Sequence, residues 1–260
     1  MNSYESQYWD SVGQVWGDAH PDPVWRVHSD MVNTGLLDKW LATSGTARLL
    51  KTDAFDEACS RGLFELLKSR AQCVIGMDIS TPTLLAAREH HPSYRGVAAD
   101  VRRLPFASDA FDAIVSNSTL DHFPTVTDLE AGLRELHRVL RPGGQLVLTL
   151  DNPLNPMVAL RNILPFGLLN RAGLVPYYVG VTRGHRSLRP LLAGIGFEVM
   201  ECTAVLHCPR VLAVAVSRFM VNGTPASRRF LRFLMAFEGL AKLPTRFLTG
   251  YFTATRAVKR

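Results

Sequence analysis

The chain has 260 residues, 47% hydrophobic and 20% charged, which suits a globular protein with one full core and insertions and excludes a disordered or fibrous one. No uninterrupted apolar stretch reaches the roughly 18 residues of a membrane span, and Met1-Asn2-Ser3-Tyr4-Glu5 lacks the basic and apolar regions of a signal peptide, so a cytoplasmic protein is expected. The net charge of +6 is unevenly spread: residues 1–150 hold 14 basic and 19 acidic side chains, and residues 151–260 hold 15 and 4. The second part should therefore attract anions, or simply aid solubility.

Residues 4–43 read as helical, with Trp25, Val32, Leu36 and Trp40 at near-helical spacing. A strand over 47–52 closes on Asp53, and an amphipathic helix is predicted from Phe55 to Arg70. Strand 72–77, helix 82–90 and strands 96–99 and 111–116 follow. Helix 127–140 ends at the turn Arg141-Pro142-Gly143-Gly144, before the apolar strand 145–150. This β-α alternation predicts a parallel sheet whose ligand edge lies at the carboxyl ends of its strands. The rhythm breaks over 152–185, where Pro153, Pro156, Pro165 and Pro176 stand among Leu, Phe and Tyr. That segment is too long for a connector and too apolar for a solvated loop, so a lid or helical insertion is expected. Helix 187–194 and strand 197–204 restore the pattern, a second insertion spans 207–248, and 251–258 is a last strand. The expected division is an N-terminal helical cap (1–46), a ligand-binding core (47–151), and the end of the sheet with lid insertions (152–260), within a single domain. Cys59, Cys73, Cys202 and Cys208 form no CxxC pair, so reduced thiols and no metal site are expected.

The strand Val74-Ile75-Gly76-Met77 ends on Asp78, 25 positions after Asp53. A carboxylate at that edge, roughly 20 residues past the first strand–helix turn, is how such folds grip a ribose diol. The chain is thus expected to hold a nucleoside-bearing small molecule. For Asp78 and Asp100 the alternative is a helix cap or turn former.

Four segments in order, Gly76-Met77-Asp78-Ile79-Ser80, Ala99-Asp100-Val101-Arg102-Arg103-Leu104-Pro105-Phe106, Phe111-Asp112-Ala113-Ile114-Val115-Ser116-Asn117 and Leu136-His137-Arg138-Val139-Leu140-Arg141-Pro142-Gly143-Gly144, resemble class I S-adenosylmethionine-dependent methyltransferases. The resemblance covers residues 47–151 and the closing strand pair. It implies a seven-stranded, mostly parallel Rossmann-like sheet with helices on both faces, and S-adenosylmethionine as cofactor. It also implies that Asp78 accepts from the ribose hydroxyls and Ile79 packs on the adenine. Asp100 would bond the adenine amino group, Val101 would offer its N–H to a ring nitrogen, and Asn117 would face the methionine part. The chain departs from the family at the first turn, where Lys51-Thr52-Asp53-Ala54-Phe55-Asp56-Glu57-Ala58 has no glycine. Side chains could substitute, with Lys51 pairing the cofactor carboxylate and Asp53 or Glu57 its ammonium. Equally, Asp53 could be an N-cap with Asp56 and Glu57 in the first helical turn.

Ser118, Thr119, Asp121 and His122, after Asn117, are the catalytic candidates, Asp121 and His122 foremost, since the resemblance places residues facing the reacting methyl at His122. A histidine satisfying a core hydrogen bond is the plainer reading. Arg26, His28 and Asp30 could cover the cofactor, or Arg26 and Asp30 could form an ion pair. The acceptor is expected to be small and hydrophobic or lipid-like. The interleaved run Arg228-Arg229-Phe230-Leu231-Arg232-Phe233-Leu234 suits peripheral contact with an anionic membrane, and no nucleic-acid partner is expected. A catalytically lapsed binding module at a membrane or protein surface is the alternative.

Overall fold

The computed structural model describes residues 3–19, 23–172, 175 and 177–260, so Met1, Asn2 and Pro176 lie outside it. Helices α1 (Ser3–Ala19) and α2 (Pro23–Trp40) precede β1 (Thr46–Lys51), followed by α3 (Phe55–Cys59), α4 (Phe64–Arg70) and β2 (Ala71–Asp78). Next come α5 (Thr81–His90), β3 (Arg95–Ala98), β4 (Phe111–Asn117), α6 (Val126–Val139) and β5 (Leu140–Asp151). The first insertion forms α7 (Pro156–Ile163) and α8 (Phe166–Arg171), before α9 (His185–Ile195) and β6 (Phe197–Val205). The second forms α10 (Arg210–Ser217), α11 (Pro225–Ala236) and α12 (Arg246–Thr249), and β7 (Phe252–Lys259) ends the sheet.

The seven strands are ordered β3-β2-β1-β4-β5-β7-β6, parallel except for β7, which runs antiparallel to both neighbours. This is the expected α/β class. Alternation along β1 sends Leu49 to one face, among Trp40, Phe64 and Leu67, and Leu50 to the other, among Ile114, Leu133 and Leu148.

Two boundaries differ from the sequence reading. The helix expected over Phe55–Arg70 is broken into α3 and α4 because Glu57 turns inward and its Oε1 accepts from the Leu63 N–H at 2.9 Å. Gly62, at φ +57, makes the break possible, since a Cβ there would lie 2.9 Å from the Glu57 nitrogen. The run Arg141-Pro142-Gly143-Gly144 is not a turn but the irregular start of β5, where Phe111 pairs with Leu140 before the register shifts.

Candidate active site

The carboxyl ends of β1, β2 and β4 open into one cavity of about 560 Å³, within the size range of small-molecule sites. Asp78, Ile79, Asp100 and Val101 line one end of it; Asp53, Asp56 and Asn117 line the middle; His122, Tyr177 and Arg210 line the other end. The cap of α5 falls to Ser80, whose side chain accepts from Thr83 N–H, so Asp78 is not the capping residue. Instead the Asp78 carboxylate accepts from the Ala54 N–H at 3.0 Å and the Ser80 N–H at 2.8 Å. Burial raises its pKa, and those N–H groups oppose the rise. Asp100 is gripped by Arg102, whose Nε lies 3.0 and 3.1 Å from its two oxygens. Burial works against the Asp100 charge, yet Arg102 holds the carboxyl below its ordinary range. Oδ1 also accepts from the Arg102 backbone N–H at 2.9 Å and Oδ2 from Arg102 Nη2 at 2.6 Å, so each Asp100 oxygen meets two N–H groups of Arg102.

The glycine-free turn is a charge knot. Lys51 is fully buried, with Nζ 2.8 Å from Glu57, 3.1 Å from Asp53 and 3.6 Å from Asp56. Burial opposes its charge, and the three carboxylates outweigh burial and raise its pKa. Lys51 and Glu57 are therefore turned into the protein and line no part of the cavity. The direct contacts with a bound molecule expected of them are replaced by a supporting role under the turn. Asp53 and Asp56 do reach the cavity. Asn117 Nδ2 donates to Asp56 at 3.0 Å, while its Oδ1 accepts from Thr149 Oγ1 at 2.7 Å. Asp53 Oδ2 is buried without a hydrogen-bond partner, and burial, opposed by Lys51, pushes this carboxyl up to about 7. Such an orphaned oxygen on a cavity wall suits a cationic ligand group.

His122 lines the cavity, and its Nδ1 is 3.1 Å from the Tyr178 carbonyl. A carbonyl only accepts, so in the neutral ring the proton sits on Nδ1 and Nε2 carries the lone pair. Asp121 is fully buried and does not line the cavity: it accepts from Ser118 Oγ at 3.0 Å and from the Asp151 N–H at 2.9 Å. Its Oδ1 lies 3.9 Å from His122 Nε2, too far for a hydrogen bond. Gly180 and Val181 brace this turn by donating N–H bonds of 2.8 Å to the carbonyls of Asp121 and Phe123.

The sequence reading expected an N-terminal helical cap but did not name the residues of α1 that reach the site. Helix α1 brings Tyr8 and Trp9 over the site. Tyr8 Oη accepts from the Tyr178 N–H at 2.7 Å, Trp9 meets the His122 ring edge-on at 4.8 Å, and Glu5 is latched by Arg102. Of the Arg26-His28-Asp30 group only Arg26 lines the cavity. His28 is fully buried, 3.9 Å from both Cys208 and Glu238.

A family model described as a methyltransferase domain matches residues 56–148. The chain is 30% identical over 194 residues to a 2-phytyl-1,4-naphtoquinone methyltransferase of Nostoc punctiforme, covering 69% of this chain and 82% of that protein. It is 46% identical over 84 residues to a demethylmenaquinone methyltransferase of Mycobacterium marinum, covering 32% of this chain and 34% of that protein. The match thus spans about a third of the length of the mycobacterial relative. Among solved structures the cyclase SpnF is similar in fold, with a TM-score of 0.65 at 18% identity over 98% of this chain and 95% of that one.

Proposed function

The chain belongs to the class I S-adenosylmethionine-dependent methyltransferases, and from that premise we propose that it moves a methyl group to a small, lipid-like acceptor. The observation that carries this is the single cavity joining Asp78 and Asp100 to the aromatic end around His122. The residues present fit the cofactor: Asp78 for the ribose, Asp100 for the adenine amino group, and the orphaned Asp53 oxygen for the ammonium. Arg26, on the same wall, supplies positive charge for the carboxylate. When bound, S-adenosylmethionine supplies an electrophilic methyl on a sulfonium. The protein aligns the acceptor with it, keeps water out under α1, and takes the acceptor's proton at His122 Nε2. The names of the Nostoc and Mycobacterium relatives, both methyltransferases of quinones, support a quinone-like acceptor. His122→Gln should lower kcat about 100-fold or more and leave S-adenosylhomocysteine affinity within about threefold. Unchanged turnover in a methyl-transfer assay would remove the histidine from the chemistry.

The cofactor should also move a proton. Asp53 keeps its proton up to about 7, above the ordinary 3.8, and an ammonium beside it favours the ionised form. Affinity should therefore rise as pH climbs through about 7 and fall below it, with a proton released on binding. Calorimetry in two buffers of different ionisation enthalpy measures that proton; identical heats would mean Asp53 is not the ammonium's partner.

A membrane-facing route for the acceptor rests on the surface of the insertions. No helix among the described residues is long and apolar enough to cross a membrane. Yet Ile163 is 80% exposed and Phe219 89% exposed, and Arg228, Arg229 and Arg232 stand exposed on α11 beside Phe233. That composition suits the headgroups of anionic lipid. Flotation should show binding to anionic but not neutral vesicles, weakened by salt and by Arg228→Glu with Arg229→Glu. Binding to neither kind leaves a lid closed over a soluble acceptor. The lapsed-module reading draws on the glycine-free turn alone, and detectable methyl transfer excludes it.

A further inference from the structure

Arg210 opens α10 at the acceptor end of the cavity, and the reaction described above makes no use of it. Its guanidinium lies 4.6 Å from the centre of the Tyr251 ring, 5.7 Å from that of Trp25 and 5.9 Å from that of Phe252. It also hydrogen-bonds the side chain of Tyr177. Among the described residues no carboxylate stands within ion-pairing distance of it. The acid that acts on it, Asp151, is committed to Arg161 at 2.5 Å. Aromatic faces contribute about 0.5–2 kcal/mol to holding such a cation, and the single Tyr177 hydroxyl leaves the guanidinium fork without the two-oxygen anionic partner its geometry suits.

Its position relates it to the reacting group. The Tyr177 that bonds Arg210 also lies edge-on to His122, ring centres 5.4 Å apart. An oxygen held by Arg210 would thus belong to a molecule whose apolar body lies between the aromatic walls and whose next ring reaches His122. In an enclosed, poorly solvated site one charge pair of this kind discriminates strongly between an anion and its neutral analogue.

We propose that Arg210 is the anion-recognising residue of the acceptor site, selecting an acceptor with an apolar aromatic body and an ionised oxygen. This deepens the methyltransferase reading and rests on it. The test is calorimetric titration with 1-hydroxy-2-naphthoate and with 1-naphthol, the same ring with and without a carboxylate, each run with and without S-adenosylhomocysteine. The wild-type protein should bind the carboxylate at least about tenfold more tightly than the naphthol. Arg210→Met should bring the two within about threefold of each other, with S-adenosylhomocysteine affinity unchanged. Arg210→Lys keeps the charge but loses the fork, so a reduced preference should remain. No preference in the wild type, including failure to bind either probe, overturns the proposal. So does an undiminished preference in Arg210→Met or, if that variant does not fold, in Arg210→Lys. Failure of the wild type to bind S-adenosylhomocysteine overturns the methyltransferase reading instead, and the titrations without it still decide the role of Arg210.

Discussion

Lys51→Met should lower stability by about 3–5 kcal/mol, because removing one partner of a buried ionic cluster strands the charges that remain. Here Glu57, Asp53 and Asp56 would lose the cation that sits 2.8, 3.1 and 3.6 Å from them. For a protein of this size that is a fall of about 6–20 °C in Tm. Adding Glu57→Gln should recover part of the loss, since it removes the fully buried carboxylate while its amide can still meet the Leu63 N–H. Lowering the pH should recover part of it too, by protonating the stranded acids. Thermal melts of the two variants read this directly. A single variant that melts within about 3 °C of wild type would mean that the knot does not hold the turn. Cofactor affinity should suffer only as far as the turn is disturbed, because neither Lys51 nor Glu57 reaches the cavity.

Asp78→Ala should weaken S-adenosylmethionine about 10- to 150-fold, the loss of hydrogen bonds to a charged acceptor worth roughly 1.5–3 kcal/mol. The structure adds a second consequence. The same carboxylate accepts from the Ala54 and Ser80 N–H groups, so the variant also loses the tie between the first turn and the end of β2. Asp78→Asn separates the two effects: it keeps one acceptor oxygen for a backbone N–H and removes the charge. Isothermal titration of both variants, checked for folding by their melts, should give weaker binding in each and a melting loss mainly in the alanine variant. Affinity within twofold of wild type in folded Asp78→Ala would take the ribose away from Asp78.

The sheet was legible because its signals are local. Apolar runs closing on Asp78 and Asn117, separated by helical spacing, mark the strands whose ends line the cavity. Lys51 shows where local reading stops. A charged side chain at a strand end reads as a ligand contact, but β1 lies between β2 and β4 and its last three residues are all buried. A lysine there has no solvated face, so the acids of the following turn fold back onto it. The same inward pull on Glu57 breaks the helix expected over Phe55–Arg70. Tyr8 and Arg210 were not legible at the site for another reason. They are brought there by docking of α1 and α10 from distant parts of the chain, and nothing in their neighbours' spacing encodes that contact.

The most direct test of the account is calorimetric titration of the wild-type protein with S-adenosylhomocysteine. Saturable binding at one site per chain, lost or strongly weakened in folded Asp78→Ala, is the predicted result. No heat at any concentration, in a protein shown to be folded, would contradict the account, because the cavity would then not be the cofactor's site.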